Sequence, residues 1–138
     1  MSEFLDSMVP FVIEEGVIDD ILGSPYRYRI VKQEFEPRLR GFVGLLEGIL
    51  FVADTTPGQF REYIFWHEVM CVAHRNRQGC AQTIKKELER VPKPILRAYI
   101  EYRCACFEAL MQFYSRKPPV FYQEIVTSYE YLCGLLDG

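Results

Sequence analysis

Gly41-Phe-Val-Gly-Leu-Leu-Glu-Gly48-Ile-Leu-Phe-Val-Ala-Asp54-Thr-Thr-Pro-Gly58 is the stretch in which the backbone period changes. Residues 41–48 and 49–54 read as two short strands around a turn, because apolar runs this brief, bounded by Gly and polar residues, are too short for helices. Thr55-Thr-Pro-Gly58 breaks the pattern. From Gln59 to Asn76 the apolar residues then recur at helical spacing.

Inside that helix lies Phe65-Trp66-His67-Glu68-Val69-Met70-Cys71. A zinc-peptidase helix reads His-Glu-x-x-His, and this one reads His-Glu-x-x-Cys. Residues four apart on a helix share a face, about 6 Å apart along the axis. His67 and Cys71 can therefore address one ion, with Glu68 placed one position round as a general base. Imidazole and thiolate are both ordinary zinc ligands, although a thiolate adds negative charge and makes the metal a poorer Lewis acid. His74 shares the face of His67 but sits roughly 10 Å along the axis, too far to join it on one ion in an unbroken helix. His74 with Cys71, three residues apart, is a second pairing. The plainer reading makes Cys71 a packing residue in an apolar stripe with Phe65, Val69, Val72 and Ala73, since Cys is among the most buried residue types.

A Gly-containing hairpin, a strand ending in a polar residue, a Pro-bearing loop and an aromatic-His-Glu helix, in that order, resembles the small gluzincin-type zincins, the minimal metallopeptidase domains of anti-repressor proteases. The resemblance spans residues 26–112 and departs from the family pattern at Cys71. It implies an N-terminal helix, a short twisted three-stranded sheet and an active helix lying against it. It further implies a zinc ion and a third ligand, usually Glu, from a later helix. In Arg97-Ala-Tyr-Ile-Glu-Tyr-Arg-Cys-Ala-Cys-Phe-Glu108, Glu101 is the best match for that ligand and Glu108 the second. Zinc held by His67, Cys71 and Glu101, with Glu68 activating water against a peptide, is the implied chemistry. The competing expectation is a non-enzymatic protein-interaction module, on the same scaffold or on an all-helical one.

At 138 residues, with 49% hydrophobic and 14% aromatic residues, the chain is sized for one domain with one sizeable core. A net charge of −3 gives no reason to expect a nucleic-acid or membrane partner. No secretory signal or apolar run of spanning length is visible, so a cytoplasmic protein is expected. The five cysteines are odd in number and lack the spacing of a secreted framework. Cys104 and Cys106, two apart on a helix, diverge by about 200°. Cys80, Cys104, Cys106 and Cys133 are therefore expected as reduced, packing thiols.

Residues 2–22 read as a first helix, loosely striped by Phe4, Leu5, Met8, Val12, Ile13 and Val17 and interrupted by Pro10 and Gly16. Tyr26–Phe35 alternates as a half-buried strand. Cys80–Arg90, a long helix opened by Pro92 and Pro94, and a Tyr-rich helix from Val120 to Leu136 complete an α+β order of α-β-β-β-α-α-α-α, with a small antiparallel sheet of about three strands packed by helices. Arg75, Arg77, Lys85, Lys86, Arg90, Lys93 and Arg97 form a basic stretch, read as a solvated face in preference to a nucleic-acid surface. The tyrosines at 114, 122, 129 and 131 suit either an interface or a core with hydroxyls reaching water.

Overall fold

Ile49-Leu-Phe-Val-Ala53 is buried at every position, so this strand must be covered on both faces. The computed structural model, which describes residues 3–21, 24–35, 44–73 and 80–137, shows how. The elements run α1 (Glu3–Met8), β1 (Val12–Ile21), β2 (Ser24–Val31), β3 (Gly44–Leu46), β4 (Ile49–Ala53), α2 (Arg61–Glu68), α3 (Cys80–Arg90), α4 (Lys93–Tyr114) and α5 (Tyr122–Asp137). The fold is α+β. The sheet order is β1-β2-β4-β3, with β4 internal.

Alternation along β4 divides the core in two. Leu50 and Val52, with Ile30 of β2, face the large core of α2–α5, which includes Phe60, Phe65, Ile84, Tyr99, Phe107 and Leu132. Ile49, Phe51 and Ala53, with Val31, face a smaller cluster closed by Leu5 and Met8 of α1. Phe4, Phe11 and Phe35 stack at its margin.

The hairpin expected at 41–54 is present over its described part as β3 and β4. They pair antiparallel about a two-residue turn, with Glu47 at φ 51° and Gly48 at φ 78°. Both turn residues are left-handed, the geometry that matches the twist of tight hairpins. Residues 36–43, including the start of the expected hairpin, lie outside the described residues.

Two expectations are corrected. Residues 2–22 are not one helix: it stops at Met8, a short 3₁₀ turn carries Pro10, and Val12–Ile21 is a strand. Pro10 cannot continue a helix, and β-branched Val12, Ile13, Val17, Ile18 and Ile21 suit a pleated surface. Cross-strand pairing decides the matter. Gly16 stands opposite Tyr28, whose hydroxyl would lie 2.6 Å from any Cβ at Gly16. Glu15 and Glu14 also meet β2, as an ion pair with Arg29 (2.9 Å) and as acceptor of the Tyr28 hydroxyl (3.0 Å). The sheet therefore has four strands. It is mixed, because β2 and β4 run parallel while the flanking pairs are antiparallel.

The loop after β4 is pinned before the candidate site begins. Asp54 Oδ1 accepts the Gln33 N–H at 3.0 Å, and the buried Thr56 hydroxyl meets that of Tyr102 at 2.7 Å. A 3₁₀ turn at Gly58–Phe60 then launches α2. Residues Ile64 to Val69 are all buried, so α2 lies inside the molecule between sheet and later helices.

Candidate metal centre

Near its end α2 widens into a π-helical turn, Val69–Ala73. Such turns recur at functional sites because they re-aim side chains out of α-helical register. His67 lies one residue inside α2 and Cys71 lies in the π turn. The His67 Nε2 sits 3.3 Å from the Cys71 Sγ. It also sits 3.3 Å from the Sγ of Cys80, the first residue of α3. All three ligand atoms lie within 4.8 Å of one another, so the group could hold a metal ion. His67 and Cys71 are buried and Cys80 is partly so.

The other face of the imidazole is equally determined. His67 Nδ1 lies 2.7 Å from Glu87 Oε1. The Glu87 carboxylate, fully buried on α3, accepts from Arg103 Nε at 2.9 Å and from Arg103 Nη2 at 3.2 Å. The Tyr99 hydroxyl also donates to it. Arg103 in turn lies over the Phe107 ring at 5.0 Å. A buried carboxylate is tolerated only with such partners.

The electrostatics follow from this packing. Burial opposes a charged imidazole, but the field of Glu87, aided by Cys80, outweighs it and draws His67 up to about 9. Burial alone would raise Glu87, yet Arg103 and His67 hold it below the usual carboxylate range. The Cys80 thiol is pushed up by its hydrogen bond with Cys71 and by burial, against the pull of His67. Glu87 thus favours the charged imidazole of His67 and is a larger influence on it than Cys80, while the Cys80 thiol is held toward its neutral form.

The donor set fits zinc. Nitrogen and sulfur ligands on a tetrahedral zinc ion stand roughly 3.6 Å apart at ordinary bond lengths, close to the 3.3 Å found at both cysteines. A carboxylate on the far nitrogen of a metal-binding histidine is the usual device for presenting the near one. Helix α5 closes the side next to Cys80. The Ser128 hydroxyl lies 4.0 Å from the Cys80 sulfur, and Glu124 accepts the Ala81 N–H at 3.3 Å.

Of the residues singled out in the sequence, His67 and Cys71 come together, and Glu68 is the buried last residue of α2 beside them. Glu101 does not join them. It is exposed on α4, 3.5 Å from Arg97, outside the buried stripe of Tyr99, Ile100, Arg103 and Cys104. Glu108 is likewise exposed, and His74 lies outside the described residues. Cys80, expected to be a packing thiol, joins His67 and Cys71 instead.

Glu87 and Arg103 were also missed, although a signal existed. Each is a charged residue in phase with an apolar stripe, Glu87 among Ile84, Leu88 and Val91, and Arg103 among Tyr99, Ile100 and Phe107. Such a position calls for a buried partner.

The basic stretch is partly spent within the fold. Lys85 lies over the Tyr131 ring at 5.2 Å, Arg90 over Trp66 at 5.0 Å, and Arg97 pairs with Glu101. Arg75 and Arg77 are outside the described residues. Tyr114, Tyr129 and Tyr131 pack against the main core. Among the described residues no helix is long and apolar enough to cross a membrane. No family model, curated protein or solved structure matches the chain.

Proposed function

We propose that this chain is a divergent zincin-like, metallopeptidase-type domain that binds zinc and acts on or binds a peptide. The observation that carries the reading is the convergence of Cys71 and Cys80 on the Nε2 of a histidine whose other nitrogen faces a buried carboxylate. In this reading His67, Cys71 and Cys80 hold the ion, with Cys80 in the place that resemblance assigned to Glu101. Bound zinc supplies Lewis-acid polarisation of a peptide carbonyl.

The remaining chemistry belongs to the chain. Glu87 keeps Nδ1 engaged, so that Nε2 faces the ion. Cys71 and Cys80 give up their protons on binding, and His67 gives up the proton that Glu87 stabilises in the metal-free state. Glu68, next to His67, takes a proton from the attacking water. A peptide adds along the edge strand β3, a neighbour of the π turn that bears Cys71. Two thiolates reduce the Lewis acidity of the ion, which favours slow turnover or peptide capture over fast hydrolysis.

Elemental analysis of the purified protein tests the premise. We expect about one zinc ion per chain, lost in His67→Ala and Cys80→Ser and kept in Glu101→Ala. No bound metal after zinc is supplied would overturn it, and so would loss of zinc in Glu101→Ala alone. Peptide turnover that disappears in Glu68→Gln with zinc retained would establish the hydrolytic form.

A further inference from the structure

A second pair of thiols lies away from this centre. Cys104 of α4 and Cys133 of α5 place their sulfurs 3.8 Å apart, and both are free. Helices α4 and α5 pack along one another, joined by the short segment 115–121, so the pair bridges a helical hairpin. The two thiols are unequal. Cys104 is 9% exposed and Cys133 is only half-buried. Burial, and then the hydrogen bond with Cys133, push the Cys104 thiol up to about 12, so it stays protonated at neutral pH. Reachable thiols beside a sheltered partner are the arrangement in which oxidation runs on to a disulfide. Contact between sulfurs leaves under 2 Å for the bond to close, roughly the scale of a side-chain rotation.

We propose that Cys104 and Cys133 are an oxidative modification site for hydroperoxides, with Cys133 oxidised first and Cys104 resolving it to a disulfide. In the first step the Cys133 sulfur attacks the terminal peroxide oxygen. An S–O bond forms, the O–O bond breaks, and the alkoxide or hydroxide leaves with the thiol proton as alcohol or water. The sulfur is oxidised by two electrons to the sulfenic acid and the peroxide is reduced. In the second step the Cys104 sulfur attacks that of Cys133. The S–S bond forms, the S–O bond breaks, and water leaves with the Cys104 proton.

The cross-link ties α4, which carries Tyr99 and Arg103 against Glu87, to α5, which carries Ser128 and Glu124 against the start of α3. Oxidation thereby stiffens two walls of the metal centre without touching its ligands. The site does not depend on metal binding.

The test is hydrogen peroxide added to the zinc-supplemented full chain, followed by peptide mapping by mass spectrometry and reversal with dithiothreitol. The expected product is one intrachain Cys104–Cys133 bond, two hydrogens lighter than the reduced chain and restored by the reductant. Cys104→Ser should leave a Cys133 sulfenic acid that reacts with dimedone, whereas Cys133→Ser should leave Cys104 unmodified. Circular dichroism of both variants checks that the fold persists, and Cys104→Ala and Cys133→Ala replace either one that fails. Absence of the 104–133 bond while the fold persists would overturn the proposal. Appearance of a Cys71–Cys80 bond in its place, or initial oxidation at Cys104, would do the same.

Discussion

At the residue scale, Glu87 is the most exposed to test, because three groups on two elements depend on one carboxylate. Removing it strands Arg103 and protonated His67 in the interior, and breaking a buried pair in this way costs about 3–5 kcal/mol. We expect Glu87→Ala to lower the unfolding free energy by that margin, read from urea denaturation, and Glu87→Gln to lose less because it keeps an acceptor oxygen for Arg103. A drop under about 1 kcal/mol for the alanine variant would mean that the carboxylate is solvated. Gly16 is the second such residue. An added methyl meets the Tyr28 ring, whose nearest atom would be 2.6 Å away, so the ring must move off the strand. Gly16→Ala should destabilise by about 1–3 kcal/mol. Combined with Tyr28→Ala, which vacates the space, its effect should shrink well below additivity.

At the element scale, the β3–β4 turn is built on a residue ill suited to it. Glu47 adopts φ 51°, a conformation that Asn tolerates better, and it precedes Gly48 at φ 78°. Glu47→Asn should therefore stabilise the protein by about 0.5–1 kcal/mol, read as a raised thermal midpoint. An unchanged or lowered midpoint would show that Glu47 makes a compensating contact. The same scale explains why the N-terminal region misleads. Its apolar residues can be laid on a helix as readily as on a strand, and only pairing with β2 distinguishes them. The π turn is a comparable case. The i,i+4 spacing of His67 and Cys71 was legible, but the widening of the helix after Glu68 has no signature in Val69-Met-Cys-Val-Ala73.

At the scale of the whole molecule, the buried centre couples stability to pH and, under the proposed function, to metal. His67 titrates near 9 in the fold against 6.5 when unfolded. A raised base contributes stability that is complete below 6.5 and is lost as pH climbs through 9. Cys80 and Tyr99, both raised, act in the same direction at alkaline pH. Glu87, lowered from 4.5, contributes stability above that value and loses it as acid protonates it. The chelated protein should therefore be most stable between about pH 5 and 6.5 and weaken on both sides. A thermal midpoint rising steadily from pH 6 to 9 would contradict this. Zinc at a hundredfold excess over its dissociation constant should add about 2.7 kcal/mol, and a chelator should remove it.

The sequence by itself determined the mixed helix-and-strand class, the hairpin before the central helix and the placing of His67 and Cys71 on one face. Each follows from local periodicity, turn chemistry or residue spacing, which act over a few positions. Tertiary structure alone decided that Val12–Ile21 is a strand, that β2 runs parallel to β4, and that Cys80 stands where Glu101 was expected. It also set Glu87, Arg103 and Tyr99 behind His67 and brought Cys104 within reach of Cys133. The physical reason is common to all of these. They join residues as many as 29 positions apart, whose contacts depend on how elements pack. Nothing in a short window of sequence encodes which face of one element will meet which face of another.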